Sequence, residues 1–355
     1  MAGERDSLLP CSQLQGLGQE IAELASLDQA PGLAARINAE LRGLAAMDLG
    51  GRLLARLISD FNDRLAIRII ELVARRHRFP AVAWCWLAFG SEGRHEQTFV
   101  SDQDNGLVFA AADSTEAAAL RELFLPFADE VNHRLADCGA MLCPGGIMAG
   151  NPAWCLSLAE WRERFIDWVR RPEPQALLNA SIFFDMRALH GNLELGEELL
   201  SLQLALCPDS PAFQHLMAAN ALQAEAPLNF RGEIVTSDEG KGHAIDLKKF
   251  GTRIFVDAAR IFALAAQVRP VDTSRRLREG GLAAGLPAAD IEAAEAAFAH
   301  LLRIRLTCQI KVPQVAGEGS SVALDSLNAF DRAVLKESLR QAKRLQQRLK
   351  LNYSL

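Results

Sequence analysis

The sequence predicts an α+β protein in which a small mixed sheet lies between a helical N-terminal segment and an all-α C-terminal domain. Three observations carry that prediction. Apolar residues before residue 80 recur every three or four positions, a continuous apolar run from Ala81 to Phe89 stands between Pro80 and Gly90, and helical periodicity resumes after Pro172 and Pro174. The segments so defined are 1–78, helical; 79–172, holding the sheet; and 173–355, helical.

In the first segment Leu54, Leu57, Phe61, Leu65, Ile69 and Leu72 fall on one helix face, which reads as a packing face. Ala81–Phe89 is apolar at successive positions, the pattern of a strand buried on both sides. A second strand is expected at Asn105–Ala110, a helix over Thr115–Ala136 and a third, shorter strand near Ala140–Cys143. Beyond residue 173 the helical pattern breaks near Pro208–Pro211, Pro227–Gly242, Val268–Pro287 and Pro313–Ser321. Ile254, Ala258, Ile261 and Ala265 share one face. Phe330, Val334, Leu339, Ala342, Leu345 and Leu349 share another in the last helix, whose charges from Lys336 to Lys350 read as its solvated side.

Composition narrows the function classes. The chain has 355 residues, half of them apolar, with 38 basic and 44 acidic side chains and a net charge of −6. That balance is globular rather than disordered. An acidic excess without a long Lys/Arg run argues against a dedicated nucleic-acid binder, because neutralising phosphates needs a basic surface. The apolar run at Ala81–Phe89 is far shorter than the roughly 20 residues that span a bilayer, and the opening MAGERDSLLP has no signal-peptide pattern, so no membrane association and a cytoplasmic location are expected. Seven cysteines, an odd number mostly in apolar contexts, suit reduced thiols.

The chemistry is concentrated in Phe89-Gly-Ser-Glu-Gly-Arg-His-Glu-Gln-Thr-Phe-Val-Ser-Asp-Gln-Asp-Asn-Gly-Leu-Val-Phe109. A buried strand runs into Gly90-Ser91, and after ten intervening residues Asp102-Gln-Asp104 heads the next strand. In extended chain, residues i and i+2 face the same side about 7 Å apart, so both carboxylates can enter one pocket. Mg²⁺ prefers carboxylate oxygens and keeps waters and substrate phosphates as its other ligands, and two such ions suit phosphoryl chemistry. Gly90 permits close backbone approach to a phosphate, Ser91 adds a hydroxyl, and Arg94 could neutralise triphosphate charge or simply pair with Glu96, which otherwise has an orienting role. The turn at Gly145-Gly146 either covers a nucleotide or only reverses the chain. His243 is an acid/base candidate or a polar contact at a helix start.

Gly90, Ser91, Asp102 and Asp104 resemble the signature of the nucleotidyltransferase superfamily typified by DNA polymerase β. More narrowly, GSEGRHEQTFVSDQDNGLVF is similar to the nucleotidyltransferase domains of bacterial signalling proteins related to the PII-protein uridylyltransferase. Cys143–Cys155, Ser157–Trp161 and Phe183–Arg187 look like later blocks of that domain, and His243–Lys248 with Val256–Leu264 look like its helical substrate-binding partner. The resemblance implies a polymerase-β-type sheet, NTP as substrate, Asp102 and Asp104 as catalytic metal ligands for two Mg²⁺ ions, and Gly90, Ser91, Arg94 and Glu96 around the nucleotide. The superfamily usually adds a third carboxylate from a later strand. Asp185 is the candidate, the competing reading being a core Asp paired with Arg187.

The expected activity is therefore Mg²⁺-dependent transfer of an NMP from an NTP to an acceptor hydroxyl with release of pyrophosphate. The resemblance implies a protein acceptor of PII type in signalling. No His-Asp dipeptide marks a metal-dependent hydrolase half. The alternative is a non-catalytic module that senses nucleotide and metal.

Overall fold

A computed structural model describes residues 3–47, 49–236, 244–311 and 321–355. His243 lies outside the described residues. The chain forms two compact units: the first holds residues 1–49, 53–161 and 187–197, the second 50–52, 162–186 and 198–355.

The first unit opens with helices α1 (Gly3–Glu23), α2 (Ala30–Ala46) and α3 (Gly51–Ala74). On α3 the buried apolar residues include Leu54, Ile58, Phe61, Leu65, Ile69 and Leu72. Ile58 is buried where Leu57 was expected, and Leu57 is half-buried at the edge of the same face. Strand β1 (Trp84–Ala88) leads into a single helical turn, α4 (Gly90–Gly93); β2 (Asn105–Phe109) follows, then α5 (Ser114–Asp137), β3 (Cys155–Ser157) and the start of α6 (Leu158–Arg170). The unit is completed by β4 (Arg187–Gly191) and the start of α8 (Leu193–Leu206), with α7 (Pro174–Phe183) intervening in the second unit.

The sheet order is β3-β2-β1-β4. β1 is antiparallel to β2 and β4, and β2 is parallel to β3, so the sheet is mixed as expected. Two strands differ from the sequence expectation. Only Met141 of the Ala140–Cys143 segment pairs, as a bridge to Asp102, and the third strand is Cys155–Ser157. Arg187–Gly191, in a stretch whose periodicity reads as helical, is a strand because it adds to the free side of β1 with Ala88 opposite Arg187. Tertiary pairing overrides local propensity there.

The core of this unit is aromatic. Phe124 and Phe127 of α5 meet Phe79 at ring-centroid distances of 5.1 and 5.0 Å, and Phe109 stacks on Phe124 at 5.3 Å. Asp113 caps α5 by accepting from the N–H groups of Thr115 and Glu116, while the Glu116 carboxylate accepts from the N–H of Ala112. This reciprocal cap fixes where α5 starts against the sheet.

The second unit is helical: most of α6, α7, most of α8, α9 (Pro211–Ala221), α10 (Arg253–Ala265), α11 (Thr273–Ala283), α12 (Ala288–Lys311) and α13 (Ala329–Tyr353). A short antiparallel ribbon, β5 (Ala244–Asp246) with β6 (Ser321–Ala323), is its one addition to the expected helices among the described residues. Residues Ile254–Leu264 of α10 are buried on every side, marking it as the central helix. A Cβ on Gly280 of α11 would stand 2.7 Å from the backbone nitrogen of Ala263, so the two helices approach as closely as backbones can. On α13 the buried face is Leu335, Leu339, Ala342, Leu345 and Leu349; Phe330, expected on it, is 74% exposed because the face begins one turn later.

Candidate active site

The site is built at the end of β1. After Phe89 the chain turns at Gly90, whose φ is +55°, and the single turn of α4 follows. A Cβ on residue 90 would lie 2.9 Å from Oδ2 of Asp104. Both the backbone conformation and the space thus require glycine. The N–H of Phe89 donates to the carbonyl of Asp104 at 2.8 Å, which continues the β1–β2 ladder and brings Asp104 beside the turn.

What holds the Asp102–Asp104 segment is an amide network that the sequence reading passed over. Gln103 Nε2 donates to the carbonyls of Asn132 and Ala140, both at 2.9 Å. Asn132 Nδ2 donates to Oε1 of Gln103 and Oδ1 of Asn105, again at 2.9 Å. The N–H groups of Ala149 and Gly150 donate to Asn105 and Asn132. All three amides are buried. With Gln103 and Asn105 turned into this network, alternation leaves the half-buried Asp102 and Asp104 on the other side of the segment. The signal was present as polar residues at alternate positions just ahead of an apolar strand. The loop at Gly145-Gly146 belongs to the same construction: Asn151 Nδ2 donates to the carbonyl of Gly146, and Asn105 N–H to that of Ile147. It is a tied chain reversal. Cys143, at its start, hydrogen-bonds through its thiol to the Asp104 carboxylate, and burial foremost raises its pKa.

A second cluster, also unanticipated, underlies α4. Arg187 of β4 donates to Oδ1 of Asp63 at 2.9 Å and reaches the carbonyls of Glu92 and Gly93 at 3.2 and 3.4 Å. It thereby ties α3, α4 and the sheet together, and pairs with Asp63 rather than Asp185. Glu92 is buried, with the main chain of Asp104 hydrogen-bonded to its carboxylate. Burial first, then the negative charges of Asp63 and Asp104, push it up to about 8, against the pull of Arg187. Glu92 shares the lining of a cavity of about 60 Å³ with Asn62, Gln97 and Gln103. His95 sits at φ +55° with Nδ1 3.4 Å from Asp63 Oδ2. Burial, with Arg187 and Arg56 nearby, holds its imidazole neutral, pushed down to about 3.

Of the remaining residues, Arg94 Nε donates to Glu96 at 2.7 Å, and both side chains are nearly buried. Glu96 therefore orients Arg94. Ser91 is half-buried, and its carbonyl accepts from the N–H of Glu96.

Asp185 is placed differently. It lies in the second unit, fully buried, with Arg260 Nε and a terminal nitrogen donating to its two oxygens at 2.9 and 2.6 Å, and Arg276 donating to Oδ1 as well. Arg276 also donates to the carbonyls of Phe184 and Pro270, both at 2.9 Å, and Arg260 to Asp257 at 2.7 Å. Against the pull of burial, Asp185 and Asp257 raise the Arg260 pKa above its ordinary value. A carboxylate enclosed by two guanidiniums serves the packing of α10 and α11, which favours the core reading of Asp185 over that of a third metal-binding carboxylate.

Asp102 and Asp104 supply the hard oxygen donors that Mg²⁺ takes. Among the described residues no group of three or more His, Cys, Asp or Glu side chains is arranged to hold a metal. Two carboxylates fit a cation that completes its shell with water and substrate phosphates.

A glycine turn follows a buried strand, a carboxylate pair stands just ahead of the next strand, and the sheet they flank is mixed and four-stranded. Residues 35–175 match the family described as "Putative nucleotidyltransferase DUF294", and residues 211–353 match "Putative nucleotidyltransferase substrate binding domain". The two matches cover most of the chain, and it belongs to this nucleotidyltransferase family. No curated protein matches it. Among the described residues no helix is long and apolar enough to cross a membrane.

Proposed function

We propose that the protein transfers an NMP from an NTP to a hydroxyl of a protein acceptor, releasing pyrophosphate, with Mg²⁺ and in a signalling role like that of the PII uridylyltransferases. The observation that carries this reading is the seating of Asp104 against Gly90, which puts a carboxylate directly beside the turn that would receive phosphates. Asp102 and Asp104 would hold Mg²⁺, which supplies neutralisation of triphosphate charge. Gly90 leaves room for the Asp104 carboxylate beside the turn, Ser91 offers a hydroxyl, and Arg94, steadied by Glu96, offers a guanidinium. In the metal-free chain burial, foremost, holds the Glu92 carboxyl above the usual carboxylate range.

One observation favours a second reading, that of a nucleotide- and metal-sensing module without catalysis: the carboxylate expected to be the third is held by Arg260 and Arg276. The two readings separate on incubating the protein with Mg²⁺, each α-labelled NTP and a host lysate containing PII-like proteins, beside Asp104→Asn. Label on a macromolecule with the wild type alone is the result expected. Metal-dependent nucleotide binding without transfer would move the assignment to the sensor, and neither would sink both.

A further inference from the structure

We propose that the outer face of α13, from Arg340 to Leu351, together with the turn that carries Phe230, docks an acidic, partly apolar segment of a partner protein. The proposal names the chemistry of the acceptor and rests on the reading above for the partner's role as acceptor. From Arg340 to Tyr353 the helix has five basic and no acidic side chains, in a chain of net charge −6. Arg340, Lys343, Arg344, Gln347 and Leu351 recur every three or four residues, which makes them one stripe.

Two clefts open along this stripe. One, of about 220 Å³, joins Phe230 to Arg340, Lys343 and Arg344. The other, of about 460 Å³, joins Arg348 and Leu351 to Leu286 and Pro287. They share Arg344 and Gln347, so they form one groove. Its apolar ends are open to solvent: Phe230 is 90% exposed and Leu351 75%. Phe230 is nonetheless held in place. Asn229 Oδ1 accepts from the N–H groups of Arg231 and Glu233, Asn229 N–H donates to the Glu233 carbonyl, and Leu228 bridges Ile234.

The cations in the middle have charge to offer. Lys343 is exposed with no carboxylate partner among the described residues, and Arg344 meets only the amide of Gln341, at 3.5 Å. Among the described residues Asp290 is the one acid lining either cleft. From Arg340 to Leu351 the helix rises about 16 Å, longer than a mononucleotide and close to three helical turns of a partner. Exposed apolar side chains at both ends of a cationic stripe complement a segment with carboxylates between apolar anchors. A nucleic acid would use the cations and leave the apolar ends unfilled.

The test is fluorescence anisotropy of the full chain with a labelled 16-residue helical peptide of glutamates and leucines. A lysine-for-glutamate peptide and a 16-nucleotide single-stranded DNA run beside it. The acidic peptide is expected to bind with micromolar affinity, weakening as salt rises, at least ten-fold weaker to Lys343→Glu/Arg344→Glu and several-fold weaker to Phe230→Ser. Thermal melts confirm that each variant is folded, and the loop substitution leaves the helix intact. The proposal is overturned if the acidic peptide does not bind, binds equally to wild type and both variants, or binds less tightly than the DNA. It is overturned too if sedimentation shows the charge reversal abolishing self-association, which would make the face a contact between copies. Mg²⁺-dependent nucleotide binding is measured separately. Peptide binding without it removes the acceptor role and keeps the surface; nucleotide binding without peptide removes only the surface.

Discussion

Asp104 Oδ2 occupies the position a side chain on residue 90 would need, with 2.9 Å between that oxygen and a Cβ built on Gly90. The turn and the carboxylate are therefore a single fitted part. Gly90→Ala must move Asp104 and also adopt φ +55°, a region costly for any residue with a Cβ. Mg²⁺-dependent nucleotide binding is expected to weaken at least ten-fold while far-ultraviolet circular dichroism stays unchanged. Titration calorimetry reads the first and an unchanged affinity would remove the turn from the site.

Asp185→Asn leaves two buried guanidiniums short of a counter-charge. Loss of one partner from a buried ion pair costs about 3–5 kcal/mol. Urea denaturation should show a loss of that size, and nucleotide affinity measured below the transition should be the wild-type value. Asp104→Asn should do the reverse, abolishing metal-dependent binding with little change in stability.

Arg187 serves Asp63 and two carbonyls of α4 at once. Arg187→Met is expected to cost about 3 kcal/mol, because Asp63 is left buried beside Glu92. Arg187→Met/Asp63→Asn should recover part of it. A double variant no more stable than Arg187→Met would show that Asp63 is not what the arginine compensates.

Glu92 and His95 oppose each other in their effect of pH on stability. Glu92 is raised from 4.5 to about 8, so between those values the folded chain holds a proton the unfolded chain has lost, and stability falls as pH rises. Asp63, also raised by burial, acts in the same direction. His95 is lowered from 6.5 to about 3, so in that window stability rises with pH. The two slopes nearly cancel from 4.5 to 6.5. Above 6.5 Glu92 acts without opposition, at about 1.4 kcal/mol per pH unit. Urea midpoints from pH 6.5 to 8 should fall for the wild type and stay level for Glu92→Gln; parallel curves would count against the buried acid.

The turn at Gly90 and the nearness of Asp104 to it were legible because strand–turn–strand spacing and alternation are local properties of a short segment. Glu92 stood in the same motif unmarked, since nothing in its neighbours tells that α4 buries it against Asp63 and Arg187, residues far away in sequence. Arg187–Gly191 failed as a strand for the same reason: its partner, β1, lies about a hundred residues earlier. The Gln103–Asn105–Asn132 network needs α5 packed on the sheet before its polar residues have a purpose. Asp185 stayed open between two readings because a carboxylate beside an Arg in sequence gives no hint that the guanidiniums meeting it come from Arg260 and Arg276.

The chain leaves the first unit after Trp161 and returns at Arg187 to lay down β4. On the ribosome, β1 and β2 emerge long before that last strand exists, and one side of β1 stays unpaired in the interval. Unpaired strand edges recruit other chains, so the interval is when aggregation threatens. A fragment ending at residue 175 would make that interval permanent and would also lack Arg187. For expression of the first unit alone, the serviceable gene is one in which a short linker replaces residues 162–186 and the reading frame continues through Glu197.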